Sequence, residues 1–259
     1  MKKILNRVVW LLVFILSMGL VVWANIEQAN SNCTDIIVKL KTTDYPPLTS
    51  EEAIKTNILE SMPALIGQST KKIKLEELEK HVELNNRLSH VKAFLNLNGV
   101  ISIKAQPRKA VIRIFDAKGK NLYLGSEQVL MNNSSYHTQR IIVASGHITH
   151  LSSAERKQVL SGEKSLPSIY NDLYEIANYI HEDDFLEALI DQIYVNKNQE
   201  LELTPKVGVR KIYFGKAENI AEKLENLKAF YIEGKNKIDW QKYQSINIKY
   251  KNQIVCSKK

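Results

Sequence analysis

The sequence predicts an α+β protein with a single N-terminal transmembrane helix, and three observations carry that prediction. An apolar run fills residues 8–24, the turn signal Asn98-Gly99 joins two β-rich runs, and residues 246–250 alternate between apolar and polar side chains. The first pattern indicates a membrane helix and the other two indicate antiparallel strands. We therefore expect an anchor, a small mixed module, and a mostly antiparallel β domain with two or so helices.

The apolar run has the length of a membrane-spanning helix. No charge occurs between Arg7 and Glu27, and at ~1.5 Å per residue the run approaches ~30 Å of hydrocarbon. Trp10 and Trp23 lie near its ends, where aromatic rings favour the headgroup level, so we predict them as membrane-anchor residues. The predicted helix covers residues 8–25.

Basic residues precede the run and set its expected orientation. Lys2, Lys3 and Arg7 lie in a cytoplasmic tail at residues 1–7, and a polar linker follows at 26–34. The positive-inside rule then places everything after the linker outside the cytoplasm. A cleavable signal peptide ending at Ala24 is the alternative, and it gives the same compartment.

Composition indicates a folded, basic protein. Hydrophobic residues make up 44% and charged residues 25% of the chain, and the net charge is +8. Outside the cytoplasm such a charge suits anionic lipid, an anionic wall polymer or an acidic protein surface, and no nucleic acid is expected. A generically soluble basic surface is the alternative.

The cysteines offer a disulfide hypothesis. The chain has two, Cys33 and Cys256, and an even count outside the cytoplasm favours a bridge. Whether the two side chains meet depends on the fold, so two free thiols remain the alternative.

Residues 35–115 predict a βααββ module. Asp35–Thr42 is rich in β-branched residues, and Ser50 with two following glutamates begins a helix. A helix at 75–84 and strands at 91–97 and 100–105 complete the βααββ order, and a following strand at 110–115 ends the module.

Residues 116–259 predict the β domain. Asp116–Gly119 forms a turn, and short apolar runs follow. Helices are expected at 166–180 and 217–231, where apolar residues recur at spacings of three and four, and the remaining runs are expected strands.

The chain shows no catalytic constellation. His147 and His150 have no nearby ligand partner in sequence, and His181–Asp184 reads as a solvated connection between elements. We therefore expect no enzyme activity, no cofactor, no metal and no small-molecule substrate.

The order of elements resembles the FtsQ/DivIB family of cell-division proteins. Residues 91–115 match the end of the family's POTRA module, and the turn Asp116–Gly119 leads into its β domain. The second half is similar to the Bacteroidetes branch at Gln192–Val195, Leu203–Gly208 and Trp240–Cys256.

This resemblance implies a bitopic scaffold of the inner membrane, located at the division septum, with a cytoplasmic N-terminus and a periplasmic body. It implies recruitment of FtsB- and FtsL-type partners, with regulation of septal peptidoglycan synthesis. The implied partner-binding residues are Ile248, Lys249, Tyr250 and Lys251. Ile248 is also a natural core residue, and Tyr250 stays open between core and interface.

Two other functions remain open. A POTRA-type assembly or chaperone protein would act in envelope traffic, and a secreted periplasmic enzyme would need a cleaved signal peptide and the acidic cluster near Asp183.

Overall fold

The computed structural model describes residues 10–20, 32–133, 136–234, 238–251 and 253–259. The chain forms two compact units. The first unit contains the described residues up to Asp44 together with Thr49–Pro107, and the second contains Tyr45–Leu48 and Arg108–Lys259.

The N-terminal prediction needs correction. The described part of the N-terminal apolar run is helix α1 at residues 10–20. Within the described ranges, no helix has both the length and the apolar character to cross a membrane. For these residues, the prediction of a transmembrane helix at 8–25 is therefore wrong. Trp10 is exposed on α1, whereas Trp23, the tail 1–7 and linker residues 26–31 lie outside the described residues.

The first unit has its elements in the order strand, helix, helix, strand, strand. They are β1 (Asp35–Leu40), α2 (Glu51–Ser61), α3 (Leu75–Glu83), β2 (Leu88–Leu95) and β3 (Val100–Pro107). The sheet order is β1-β3-β2, with β1 parallel and β2 antiparallel to β3. The hairpin predicted from Asn98-Gly99 is present, and Gly99 has a φ of +76° that favours glycine.

Helices cover one face of this sheet. Ile36 and Val38 alternate with exposed residues on β1, and Ile101 and Ile103 do the same on β3. Buried residues of α2 and α3, namely Ile54, Ile58, Leu78 and Val82, complete the core. The period-two alternation leaves the other face of the sheet to solvent.

The second unit is built on a nine-stranded sheet. Its strands are β4 (Ala110–Phe115), β5 (Asn121–Gly125), β6 (Leu130–Asn132), β7 (Val143–Gly146), β8 (Ile190–Val195), β9 (Leu201–Pro205), β10 (Lys211–Gly215), β11 (Tyr243–Asn247) and β12 (Val255–Lys258). The sheet order is β12-β11-β10-β9-β8-β7-β4-β5-β6.

This sheet is mixed, but five of its eight pairings among the described residues are antiparallel, in line with the expectation of a mostly antiparallel domain. β7 pairs in parallel with both β4 and β8, and β10 pairs in parallel with β11. Parallel neighbours need long crossover connections. The helices α4 (Ser153–Leu160), α5 (Ser168–His181) and α6 (Asp184–Leu189) lie between β7 and β8, α7 (Ile220–Gly234) lies between β10 and β11, and strands β5 and β6 lie between β4 and β7. The four helices exceed the two or so predicted.

The second core lies between the sheet and these helices. Leu173, Ile176 and Ile180 on α5 and Leu224 and Leu227 on α7 are fully buried against the strands. Side chains at spacings of three and four thus form the apolar stripe of each helix.

A smaller cluster completes the second unit. Leu48, 1% exposed, packs with Ala110, Tyr123 and Met131. The side chain of Gln139 donates a hydrogen bond to the carbonyl oxygen of Pro46. Four residues that precede α2 in sequence are therefore part of the second unit.

A capping box begins α4. The Ser152 hydroxyl accepts a hydrogen bond from the Glu155 amide, and a carboxylate oxygen of Glu155 accepts one from the Ser152 amide at 3.0 Å. Lys164 Nζ lies 2.8 Å from the other carboxylate oxygen. Hydrogen bonds from Lys164 and Ser152 lower the pKa of Glu155 to about 2.

Both cysteines are free thiols. Cys33 is buried in the core of the first unit, and Cys256 is partly buried on β12 of the second. Burial raises the pKa of both thiols. The structure therefore does not contain the Cys33–Cys256 bridge that the sequence suggested.

Candidate functional site

β12 forms an open edge of the nine-stranded sheet. It pairs antiparallel with β11, with Ile246 opposite Cys256 and Asn247 opposite Val255, and no other strand of the described residues pairs with it. The amide of Lys259 donates to the carbonyl oxygen of Lys242 at 3.1 Å, toward the β11 side. Because backbone groups alternate between the two sides of a strand, the amides of Cys256 and Lys258 face the open side.

The core holds this edge in place from within. Ile246 is fully buried on β11, and the amide of Ile248 donates to the carbonyl oxygen of Tyr213 at 3.0 Å. Leu224, Leu227 and Tyr231 of α7 belong to the same core cluster. The edge therefore rests on a rigid base rather than on a mobile loop.

The structure separates the four predicted partner-binding residues. The strand predicted through Tyr250 ends at Asn247, so these residues lie in the connection to β12. Ile248 is 2% exposed and belongs to the core. Tyr250 is 58% exposed, and Lys251 is exposed beside it.

Lys249 has an intramolecular partner. Its Nζ lies 2.6 Å from a carboxylate oxygen of Glu200, and its amide donates to the side chain of Asn247 at 3.0 Å. The hydrogen bond from Lys249 lowers the pKa of Glu200. Both side chains are about three-quarters buried, so Lys249 holds the connection against the sheet.

A small cleft of about 100 Å³ lies beside this connection. The first turns of α7 line one side of it with Glu222 and Lys223, and Tyr250 and Lys251 line the other. The Lys223 ammonium donates to the carbonyl oxygens of Phe214 and Lys216, and burial lowers its pKa. The cleft thus combines an exposed aromatic ring with charges of both signs.

Sequence reasoning missed the contribution of α7 and of Lys258. Nothing local in the sequence places Glu222 near Tyr250, since the two come together only through the parallel pairing of β10 with β11. Lys258 could have been found, because the four lysines near the C-terminus share one short stretch.

The residues considered for catalysis have structural partners. His150 Nδ1 lies 2.7 Å from the buried carboxylate of Asp116, and His181 Nδ1 lies 2.6 Å from Glu187. Asp183 accepts hydrogen bonds from the first amides of α6 and pairs with Lys228. No group of three metal-ligating side chains occurs in the part of the chain that the structure describes.

An open strand edge on a mixed sheet, next to an aromatic and charged cleft, is the class of arrangement to which an extended segment of a partner can add as a further strand. The sequence model of the family described as "FtsQ/DivIB, C-terminal related" matches residues 109–257, more than half of the chain. The chain belongs to this family, which is a family of non-enzymatic division scaffolds, and it has a role in cell division. No curated protein shows significant similarity to the chain.

Proposed function

We propose that the protein is a division-site scaffold that recruits FtsB- and FtsL-type proteins through the open edge of β12, links them to the divisome and helps to regulate septal peptidoglycan synthesis. Family membership supports the process, and the unpaired edge supports the mode of binding. In this proposal the body at residues 35–259 is periplasmic and acts at the septum.

Main-chain hydrogen bonds supply the affinity. An extended partner segment adds to β12 as a tenth strand and bonds to the outward amides of Cys256 and Lys258. Successive side chains of the added strand point to opposite faces of the sheet, so they contact the protein surface next to β12 on both faces.

Exposed lysines near β12 provide selectivity for an acidic partner segment. Lys251, Lys258 and Lys259 are exposed, and the described residues show no ion pair for any of them. An acidic partner segment would complement this row, whereas Lys249 already pairs with Glu200. Tyr250 adds an exposed aromatic side chain, the residue type that is enriched at binding hot spots.

The decisive experiment separates the main-chain contribution from the side chains. We expect Lys258→Pro, which removes an outward amide, to weaken binding of a purified FtsB/FtsL-type partner by roughly tenfold or more. A hydrogen bond that becomes buried when the partner covers the edge is worth about 1–2 kcal/mol. Lys258→Ala keeps the amide and should lose only the smaller charge contribution. Isothermal titration calorimetry measures both.

Tyr250→Ala tests the aromatic contact in the same assay. Loss of a hot-spot ring should cost about 2 kcal/mol of binding free energy, while Tyr194→Ala, which removes a partly exposed ring four strands away from β12, should cost almost nothing. Unchanged affinity in both Lys258→Pro and Tyr250→Ala, with circular dichroism showing a folded domain, would reject the proposed edge.

A further inference from the structure

Three lysines lie in one row across the sheet of the first unit. The register pairs Lys39 of β1 with Lys104 of β3, and Lys104 in turn with Lys92 of β2. Neighbouring strands are ~4.8 Å apart, so the row of Lys39, Lys104 and Lys92, here called the lysine row, is about 10 Å wide.

The lysine row is on the solvent face of the sheet. All three residues are exposed, and α2 and α3 cover the opposite face. Lys92 lies 3.3 Å from Glu79, but among the described residues Lys39 and Lys104 have no carboxylate partner. One of the three charges is therefore offset by a carboxylate, and Lys104 has the Phe94 ring, 5.7 Å away, as its partner among the described residues.

Such a row works against the stability of the sheet. Like charges directly opposite each other on neighbouring strands are destabilising, and three in succession repeat that cost. Solubility alone does not require this arrangement, because charges of both signs interspersed over a surface provide it. An anionic partner from outside the unit would offset this repulsion.

Next to the row is a depression that fits anionic head groups. Its volume is about 320 Å³, and Lys39, Lys41, His90 and Lys104 line it, with no acidic residue in the lining. Lys41 and His90 are exposed like the lysine row itself.

An apolar row runs parallel to the lysine row on the same face. It lies two positions from the lysine row on each strand: its outer members, Ile37 and Phe94, are apolar, and both are paired with Ser102, its polar middle member. Ile37 is 40% and Phe94 48% exposed, and Leu97 in the adjacent turn is 78% exposed. A soluble anion would make no favourable contact with these apolar side chains.

We propose that this sheet face is a docking surface for an anionic phospholipid bilayer, with the lysine row at the phosphate groups and the apolar row at the acyl boundary. Cations beside exposed apolar side chains are the pattern that peripheral membrane surfaces use.

Amine acetylation followed by mass spectrometry tests this proposal on the full chain. With phosphatidylglycerol vesicles we expect Lys39 and Lys104 to be protected from acetylation, and with phosphatidylcholine vesicles we expect them to stay reactive. Lys71, exposed in the 3₁₀ turn Thr70–Lys72 away from this face, should react equally in both and is the internal reference.

A charge-matched pair of variants sharpens the test. Lys104→Glu should weaken the phosphatidylglycerol-dependent protection of Lys39 by about fivefold or more, from the energy of one lysine near an anionic surface. Lys71→Glu changes the net charge equally and should leave that protection intact. Equal protection by both lipids, or protection by polyglutamate or inorganic phosphate in place of vesicles, would overturn the proposal.

Discussion

At the scale of single residues, an ion pair within the protein determines whether a lysine is available to bind another molecule. Lys249 and Lys251 are equivalent in sequence, since both occupy polar positions of the same alternating run. In the structure Lys249 pairs with Glu200, 49 positions earlier in the chain, whereas Lys251 is exposed. A distant carboxylate thus separates a structural lysine from a candidate contact, and no local pattern reveals it.

Glu155 allows a prediction of pH dependence. Its folded-state pKa is about 2, below the ordinary value of 4.5, so its stabilising contribution is complete above pH 4.5 and is lost as the pH falls toward 2. We expect Glu155→Gln to lower the urea midpoint at pH 6 and to have a progressively smaller effect between pH 4.5 and pH 2.

The neighbouring exposed residue Glu163 provides the control. Glu163→Gln removes the same charge near the end of α4 but leaves the capping box in place, so its effect on the urea midpoint should be small at both pH values. An undiminished effect of Glu155→Gln at pH 2.5 would contradict the assigned role of the carboxylate.

At the scale of elements, the lysine row has a consequence for stability. Lys104→Glu replaces two repulsive cross-strand pairs by two attractive ones, and each opposite-charge pair contributes roughly 0.2–1 kcal/mol. We expect the variant to stabilise the first unit by about 0.5–1 kcal/mol in chemical denaturation at low salt, with the gain reduced at 1 M salt.

Lys71→Glu should leave the stability of the first unit nearly unchanged, because Lys71 has no cross-strand lysine opposite it. A destabilised Lys104→Glu protein would mean that Lys104 contributes packing through its position over the Phe94 ring, which lies 5.7 Å away.

Local sequence signals predicted well where helices and strands lie, but they predicted poorly which strands pair with each other. Asn98-Gly99 gave the first hairpin, because both residues tolerate the backbone of a tight turn. The end of β11 escaped prediction, since alternation continues to Tyr250 while the chain leaves the sheet at Asn247, whose side chain accepts a hydrogen bond from Lys249. The parallel position of β7 between β4 and β8 depends on crossovers that no short pattern encodes.

At the scale of the whole molecule, the division into units does not follow sequence order. The predicted boundary fell at residue 115, but β4 belongs to the second unit, and so does the segment Tyr45–Leu48. That segment reads as a simple break before α2, because its prolines mark a turn. Its membership in the second unit depends on Leu48 and Tyr123, which are far apart in sequence.

Leu48→Ala should therefore destabilise the second unit, although the residue lies among first-unit elements in sequence. Removal of a fully buried leucine side chain costs about 2–4 kcal/mol, and hydrogen exchange of the amides in β5 and β6 should report the loss. Leu84→Ala, at an 80% exposed position, is the matched control and should change little. Unaltered exchange in β5 and β6 would exclude this role for Leu48.

The same segment bears on the timing of assembly during synthesis. Leu48 leaves the ribosome before α2, whereas its partners Ala110, Tyr123 and Met131 appear only after the whole first unit has emerged. Contacts of such long sequence separation close late and slowly. Until these contacts form, Leu48 is unburied in the nascent chain and the cluster around Tyr123 is incomplete.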